Sequence, residues 1–187
     1  IPRRKLVTYL YLYALDSSVI TGDITGMKLT YLFLANLGSS VITGDITGMK
    51  LTDLLLSSIG SSVITGDITG MGLTYLSLSS LGSSVITGNI TGMKLTTLFL
   101  DSLGSSIITG DINGMALTRL YLHNVGLSLT YGTNQLNITN SSGIQLLGNT
   151  VFATAAEYAR LIHDAANATW SGAYPFTITA GTTATDP

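Results

Sequence analysis

The sequence predicts a repeat solenoid, a chain wound into stacked coils of one size with parallel β-strands running up its side. Three observations predict it. The glycines Gly22, Gly44, Gly66, Gly88 and Gly110 stand 22 residues apart, and a period in the twenties marks coils that each bury their apolar residues against their neighbours. The stretch SSVITGDITGMKLT at Ser39–Thr52 returns as SSVITGDITGMGLT at Ser61–Thr74, with close copies from Ser17, Ser83 and Ser105. Between these copies a pattern L-T-x-L-x-L-x-x-L begins at Val7, Leu29, Leu51, Leu73, Leu95 and Leu117. Its L-x-L centre alternates with period two, as a half-buried strand does.

Each coil can be read in order. Leu32 and Leu34 are expected to point inward, and Tyr31 and Phe33 outward. Stacking the coils sets these strands side by side as a parallel sheet, about 4.8 Å apart. A Gly-Ser-Ser turn (Gly38-Ser39-Ser40) follows, then Val41-Ile42 and Thr43-Gly44-Asp45-Ile46. This last segment is too short and too rich in glycine for a helix. It reads as an extended or turn-like return path on the opposite side, with Ile46 and Met49 completing the core.

The coil resembles the leucine-rich repeat family, on the residues Leu29-x-x-Leu32-x-Leu34 and the later Gly44-x-Ile46. The G-x-I element is similar to that of plant-type and bacterial variants. The resemblance covers Val7 to about Gly126 and implies a right-handed coil with the parallel sheet on its concave face and an extended convex side. One departure matters. Where the family carries an Asn whose amide bonds the backbone of the turn, this chain has Leu15, Leu37, Ile59, Leu81, Leu103 and Val125. The neighbouring serine pairs are then expected to satisfy the turn amides, because buried backbone donors do not go unpaired.

Two regions follow from this reading: a six-copy solenoid over 1–126, and an irregular last coil with a cap over 127–187. In the second region an irregular loop is expected from Gly126 to Asn134, a short strand at Leu136-Asn137-Ile138, and a loop from Gly143 to Asn149. Thr154-Ala155-Ala156-Glu157 is a capping box, which predicts a helix over about 155–166. Tyr158, Leu161, Ile162 and Ala165 give that helix an apolar face. Phe176–Thr179 alternates as a last strand, and a helix–strand unit of this kind suits the end of a solenoid. The opposite end has only Ile1-Pro2-Arg3-Arg4-Lys5 before its first strand. An open edge is expected there, to be covered by preceding protein or by a neighbouring subunit. The missing initiator Met reads as the mark of a processed or excised product.

Composition narrows the function. Charged residues make up 10% of the chain and the net charge is −2, so there is no basic field to hold nucleic acid. Mean hydropathy is +0.46, yet no apolar run reaches the ~18 residues of a membrane span. The chain has no cysteine, which removes disulfides and thiolate metal sites. No nucleophile–base–acid arrangement, H-E-x-x-H or phosphate-binding loop is present, and His163-Asp164 adjacency makes no triad. Enzyme activity and a cofactor are not expected. Asp23, Asp45, Asp67 and Asp111 form a column with Asn89 in line. Calcium would need six or more oxygens there, so the column is read as stabilising turns, with Lys28, Lys50 and Lys94 as counter-charges, and no metal is expected. Four N-x-[ST] sequons, at Asn89, Asn137, Asn140 and Asn167, carry little weight in a chain this rich in Ser and Thr.

The letters that do change between copies lie on the outward strand positions and just after them. Among these, Tyr9, Tyr11, Tyr13, Tyr31, Phe33, Tyr75, Phe99, Arg119, Tyr121 and His123 are the candidate ligand-binding residues. Tyr and Phe offer large contact area at small rotamer cost, and exposed aromatic patches mark interaction sites. Against this stands a plain structural role, since aromatics suit strands and cross-strand stacking of Tyr9, Tyr31 and Tyr75 would stiffen the sheet. The expectation is an extracellular or cell- or virion-surface module that binds a protein or glycan. The alternative is a structural subunit of a fibre or surface assembly, self-associating through the N-terminal edge.

Overall fold

A computed structural model describes residues 6–15, 18–112, 115 and 117–123, together with the backbone of four later strands. It is a parallel β-solenoid, and no helix occurs among the described residues. The helix expected over 155–166 and the strand at 136–138 lie outside them.

Numbered along the chain, the strands fall into two sheets. The first sheet holds β1 (Tyr9–Tyr13), β3 (Tyr31–Ala35), β5 (Asp53–Ser57), β7 (Tyr75–Ser79), β9 (Thr97–Asp101), β11 (Arg119–His123), β13 (Ile144–Leu147) and β15 (Thr177–Ile178), side by side in that order. The second holds β2 (Thr21–Asp23), β4 (Val41–Asp45), β6 (Val63–Asp67), β8 (Val85–Asn89), β10 (Ile107–Asp111), β12 (Ser128–Thr130) and β14 (Val151–Phe152). All pairings are parallel. The return path is therefore not only extended but a sheet of its own.

Two expectations for the later region need correction. Ile144–Leu147 is a strand rather than part of a loop: Leu120 lies beside Ile144 and Leu122 beside Leu146. Ser128–Thr130 likewise pairs with β10 inside the stretch expected to be irregular. Both strands extend the sheets without repeating the 22-residue lettering, because a parallel ladder asks for backbone in register, not for a particular sequence. The final strand, β15, falls within the expected 176–179.

The core lies between the sheets. Leu32, Leu34, Leu54, Leu56, Leu76, Leu78, Leu98 and Leu100 are fully buried, and Ile42, Ile64, Ile86 and Ile108 meet them from the second sheet. Ile46 and Met49 fill the core as expected, at 0% and 7% exposure. The positions that lack Asn are also core: Leu37, Ile59, Leu81 and Leu103 are each at most 1% exposed.

The second serine of each pair takes over the bonding. Ser62 is wholly buried. Its Oγ accepts from the Ile42 amide at 2.9 Å and donates to the Ser40 carbonyl one coil back at 3.4 Å. Ser40, Ser84 and Ser106 repeat the arrangement, accepting from Ile20, Ile64 and Ile86. A small hydroxyl thus stitches adjacent coils inside an apolar core, and no buried side-chain N or O among the described residues lacks a partner.

The period-22 glycines answer to geometry. In the second sheet neighbouring strands are staggered, with Gly44 beside Ile64 and Thr43 beside Val63. This draws each coil close to the one before. Gly66 has φ 150°, and a Cβ there would sit 2.6 Å from Ile46 Cγ1 and 2.9 Å from the Thr47 amide nitrogen. Only glycine fits such a position. Gly22, with the same letter in the first coil, would meet nothing within 4 Å.

Candidate recognition face

Because β1, β3, β5, β7, β9 and β11 pair in strict register, each outward position of one strand aligns with the same position of the next. Three columns run across the face. The first is Tyr9, Tyr31, Asp53, Tyr75, Thr97, Arg119. The second is Tyr11, Phe33, Leu55, Ser77, Phe99, Tyr121. The third is Tyr13, Ala35, Ser57, Ser79, Asp101, His123.

The aromatic residues gather into two groups. At one end Tyr9 stacks on Tyr31 with ring centroids 4.1 Å apart, and Tyr11 stacks on Phe33 at 4.4 Å. Tyr13 meets the Phe33 ring edge-on at 6.2 Å. Tyr9, Tyr11 and Tyr13 remain about half exposed, at 56%, 48% and 52%. On β9 and β11 Phe99 stacks on Tyr121 at 4.2 Å, and His123 Nδ1 lies 2.9 Å from Asp101 Oδ1. Arg119 is exposed at the start of β11.

The expected Tyr9–Tyr31–Tyr75 stack is only half present. Asp53 stands between Tyr31 and Tyr75 in the register, so Tyr75 stacks on no ring among the described residues. Between the two groups lies a shallow depression of about 210 Å³, lined by Tyr31, Leu32, Phe33, Asp53, Leu55 and Tyr75. Asp53 and Leu55 were variable positions in the sequence but not candidate contacts. The available cue was Asp53 itself, since aspartate is depleted in strands.

Electrostatics on this face are mild. Partial burial, then a hydrogen bond with Tyr9, then nearby charge including Asp53, push the Tyr31 phenol up to about 12. Burial and Asp101 also raise the Tyr121 phenol. Both rings stay neutral at physiological pH and act as flat apolar surfaces with a polar tip.

The aspartate column sits on the other sheet and has a structural task. In four of its members Oδ1 accepts the amide two residues on: Asp23 from Thr25, Asp45 from Thr47, Asp67 from Thr69, and Asn89 from Thr91, each at 2.8 Å. The threonine Oγ1 then accepts the backbone amide of the next Asp or Asn in the column. The Thr47 and Thr69 hydroxyls, and then the amides of the same residues, hold the Asp45 and Asp67 carboxyls below their ordinary value of 3.8, and the Thr25 amide and then its hydroxyl do the same for Asp23. Lys28, Lys50 and Lys94 make no ion pair within 4.0 Å with any described carboxylate, so backbone and threonine, not lysine, balance the column. No group of three or more possible metal-ligating side chains occurs among the described residues, and no described helix is long and apolar enough to cross a membrane.

No known protein family, curated protein or solved structure matches the chain.

Proposed function

We propose that this chain is a non-enzymatic recognition or adhesion module, built from leucine-rich-repeat-like coils, that binds a protein or glycan through the outer face of its first sheet. It would work outside the cell or on a cell or virion surface. One observation carries the reading. The face whose letters change from coil to coil is also the one that presents half-exposed, in-register aromatic rings. Stability alone does not ask for Tyr9, Tyr11 and Tyr13 on β1, since leucines already fill the interior. The leucine-rich-repeat assignment is supported by the L-x-x-L-x-L and G-x-I spacings, with the serine ladder taking the part of the family's asparagine. Screening the protein against immobilised glycans and candidate surface proteins identifies a partner. Replacing Tyr9, Tyr31 and Tyr75 with Ser should then abolish its binding while leaving the fold intact, because none of the three fills the core. Unchanged affinity in that folded triple variant overturns the proposal.

The first coil favours a second reading, the structural subunit of an assembly. Among the described residues, β1 and β2 each have one strand neighbour, and Leu6, Val7, Val19 and Ile20 are 38–65% exposed. Unpaired strand edges beside apolar side chains invite another chain. Sedimentation and negative-stain images separate the readings, since filaments support an assembly subunit and monomers at high concentration oppose it.

A further inference from the structure

We propose that the slot between Tyr31 and Tyr75, with Leu55 at its side and Asp53 at its centre, takes the guanidinium group of an arginine exposed on a partner protein. This rests on the reading of the first sheet as a recognition face and names what one part of that face binds.

The slot is built by register. Tyr31, Asp53 and Tyr75 occupy one column on three successive strands, so two strand spacings separate the tyrosine Cα atoms by about 9.6 Å. A flat group in contact with a ring on each side needs roughly 7–8 Å, which a slight inward lean of Tyr75 supplies. Stacking on Tyr9 fixes Tyr31, whereas Tyr75 stacks on no described ring and can adjust. The volume of about 210 Å³ is less than a drug-sized site of ~300–1,000 Å³, but it suits the end of one side chain.

Charge selects the occupant. Asp53 Oδ2 accepts the Thr52 hydroxyl at 2.7 Å, and Oδ1 has no partner among the described residues. The carboxylate makes no ion pair there either, while Asp101, the other carboxylate on this face, is already engaged by His123. An unneutralised carboxylate between two aromatic faces is complementary to a cation that can stack. Guanidinium is planar, weakly hydrated and rich in donors, whereas ammonium is a compact and strongly hydrated point charge. A sugar would want several hydrogen-bonding groups around its ring, and this slot offers one carboxylate and the phenol tips.

The test is a titration of the ¹⁵N-labelled protein with N-acetyl-arginine amide, with N-acetyl-lysine amide and methyl glucoside as comparators, followed by backbone amide shifts. The arginine probe should give saturable shifts centred on Tyr31, Asp53 and Tyr75. Asp53→Asn, nearly isosteric and outward-facing, should weaken that probe by roughly fivefold and flatten its dependence on salt. Tyr75→Leu should weaken it as well, and Val63→Thr, exposed on the second sheet, should leave it unchanged. Absence of arginine shifts, equal response to lysine, full retention in Asp53→Asn, or a response to the glucoside alone would each overturn the proposal. If the arginine probe fails while the triple tyrosine variant still loses a recovered partner, the slot assignment falls and the recognition face stands.

Discussion

On the second sheet the backbone claims almost every letter, whereas on the first it claims only alternate ones. In Ser40–Met49 the demands follow one another: a buried hydroxyl for the ladder, Ile42 for the core, Gly44 for close approach, Asp45 for the turn, Ile46 for the core, Thr47 for the next amide, Gly48 at φ 75° and Met49 for the core. Val41 and Thr43 are left over, and β-branched residues suit a strand in any case. Over Tyr31–Ala35 the core needs Leu32 and Leu34 and asks little of the outward residues. The difference teaches that near-identity between copies here marks scaffold, and variation marks the surface free to acquire a ligand.

The sharpest way to break this comparison is at a scaffold glycine. Gly66→Ala should destabilise by roughly 2–6 kcal/mol, because overpacking and an unfavourable φ each cost about 1–3 kcal/mol. Gly22→Ala, the same substitution where nothing lies within 4 Å, should shift thermal unfolding little. Equal effects at both sites would show that close approach is not what the glycines serve. On the first sheet Leu54→Ala or Leu76→Ala should each cost roughly 2–5 kcal/mol in denaturant unfolding, the usual range for a buried leucine. Ser62→Ala should cost about 1–3 kcal/mol by leaving the Ile42 amide without its acceptor inside the core, more than a serine truncation on the surface would.

The smallest effect is acidic. The carboxyls of Asp23, Asp45 and Asp67 are held below 3.8 in the folded chain, so the unfolded chain takes up these protons first. Their contribution is therefore present above pH 3.8 and is lost as pH falls through the lowered folded values. Replacing all three by Asn, as the chain itself does at Asn89, should keep the turns and flatten the acid limb of a melting-temperature profile. An unchanged limb would remove the aspartates from the account.

Much of this was legible from letters alone. The Leu32/Leu34 alternation gave the first sheet and its inward residues, and the missing asparagine pointed to the serines. The second sheet was seen only as an extended path, because glycine in mid-strand weakens the local signal and the pairing comes from stacking rather than propensity. Tyr75 was grouped with Tyr9 and Tyr31 because all three open a repeat. Stacking, however, depends on the adjacent coil, and there the neighbours are Asp53 and Thr97. The slot was invisible for the same reason: it exists between coils.

Since each coil offers the next the same hydroxyl, amide and carbonyl groups, length in this molecule comes in whole steps. A coil can be lost or duplicated and the flanking ladders still close, leaving nearest-neighbour stability much as before. The outward columns are not conserved by such a step. Deleting residues 53–74 would carry Thr52 straight into Tyr75 and set Tyr31 directly beside it. That would join Tyr9, Tyr31 and Tyr75 into one unbroken row and erase the carboxylate between the last two. Gain or loss of a single coil can therefore rewrite the face in one genetic event while the stack beneath it keeps its bonding.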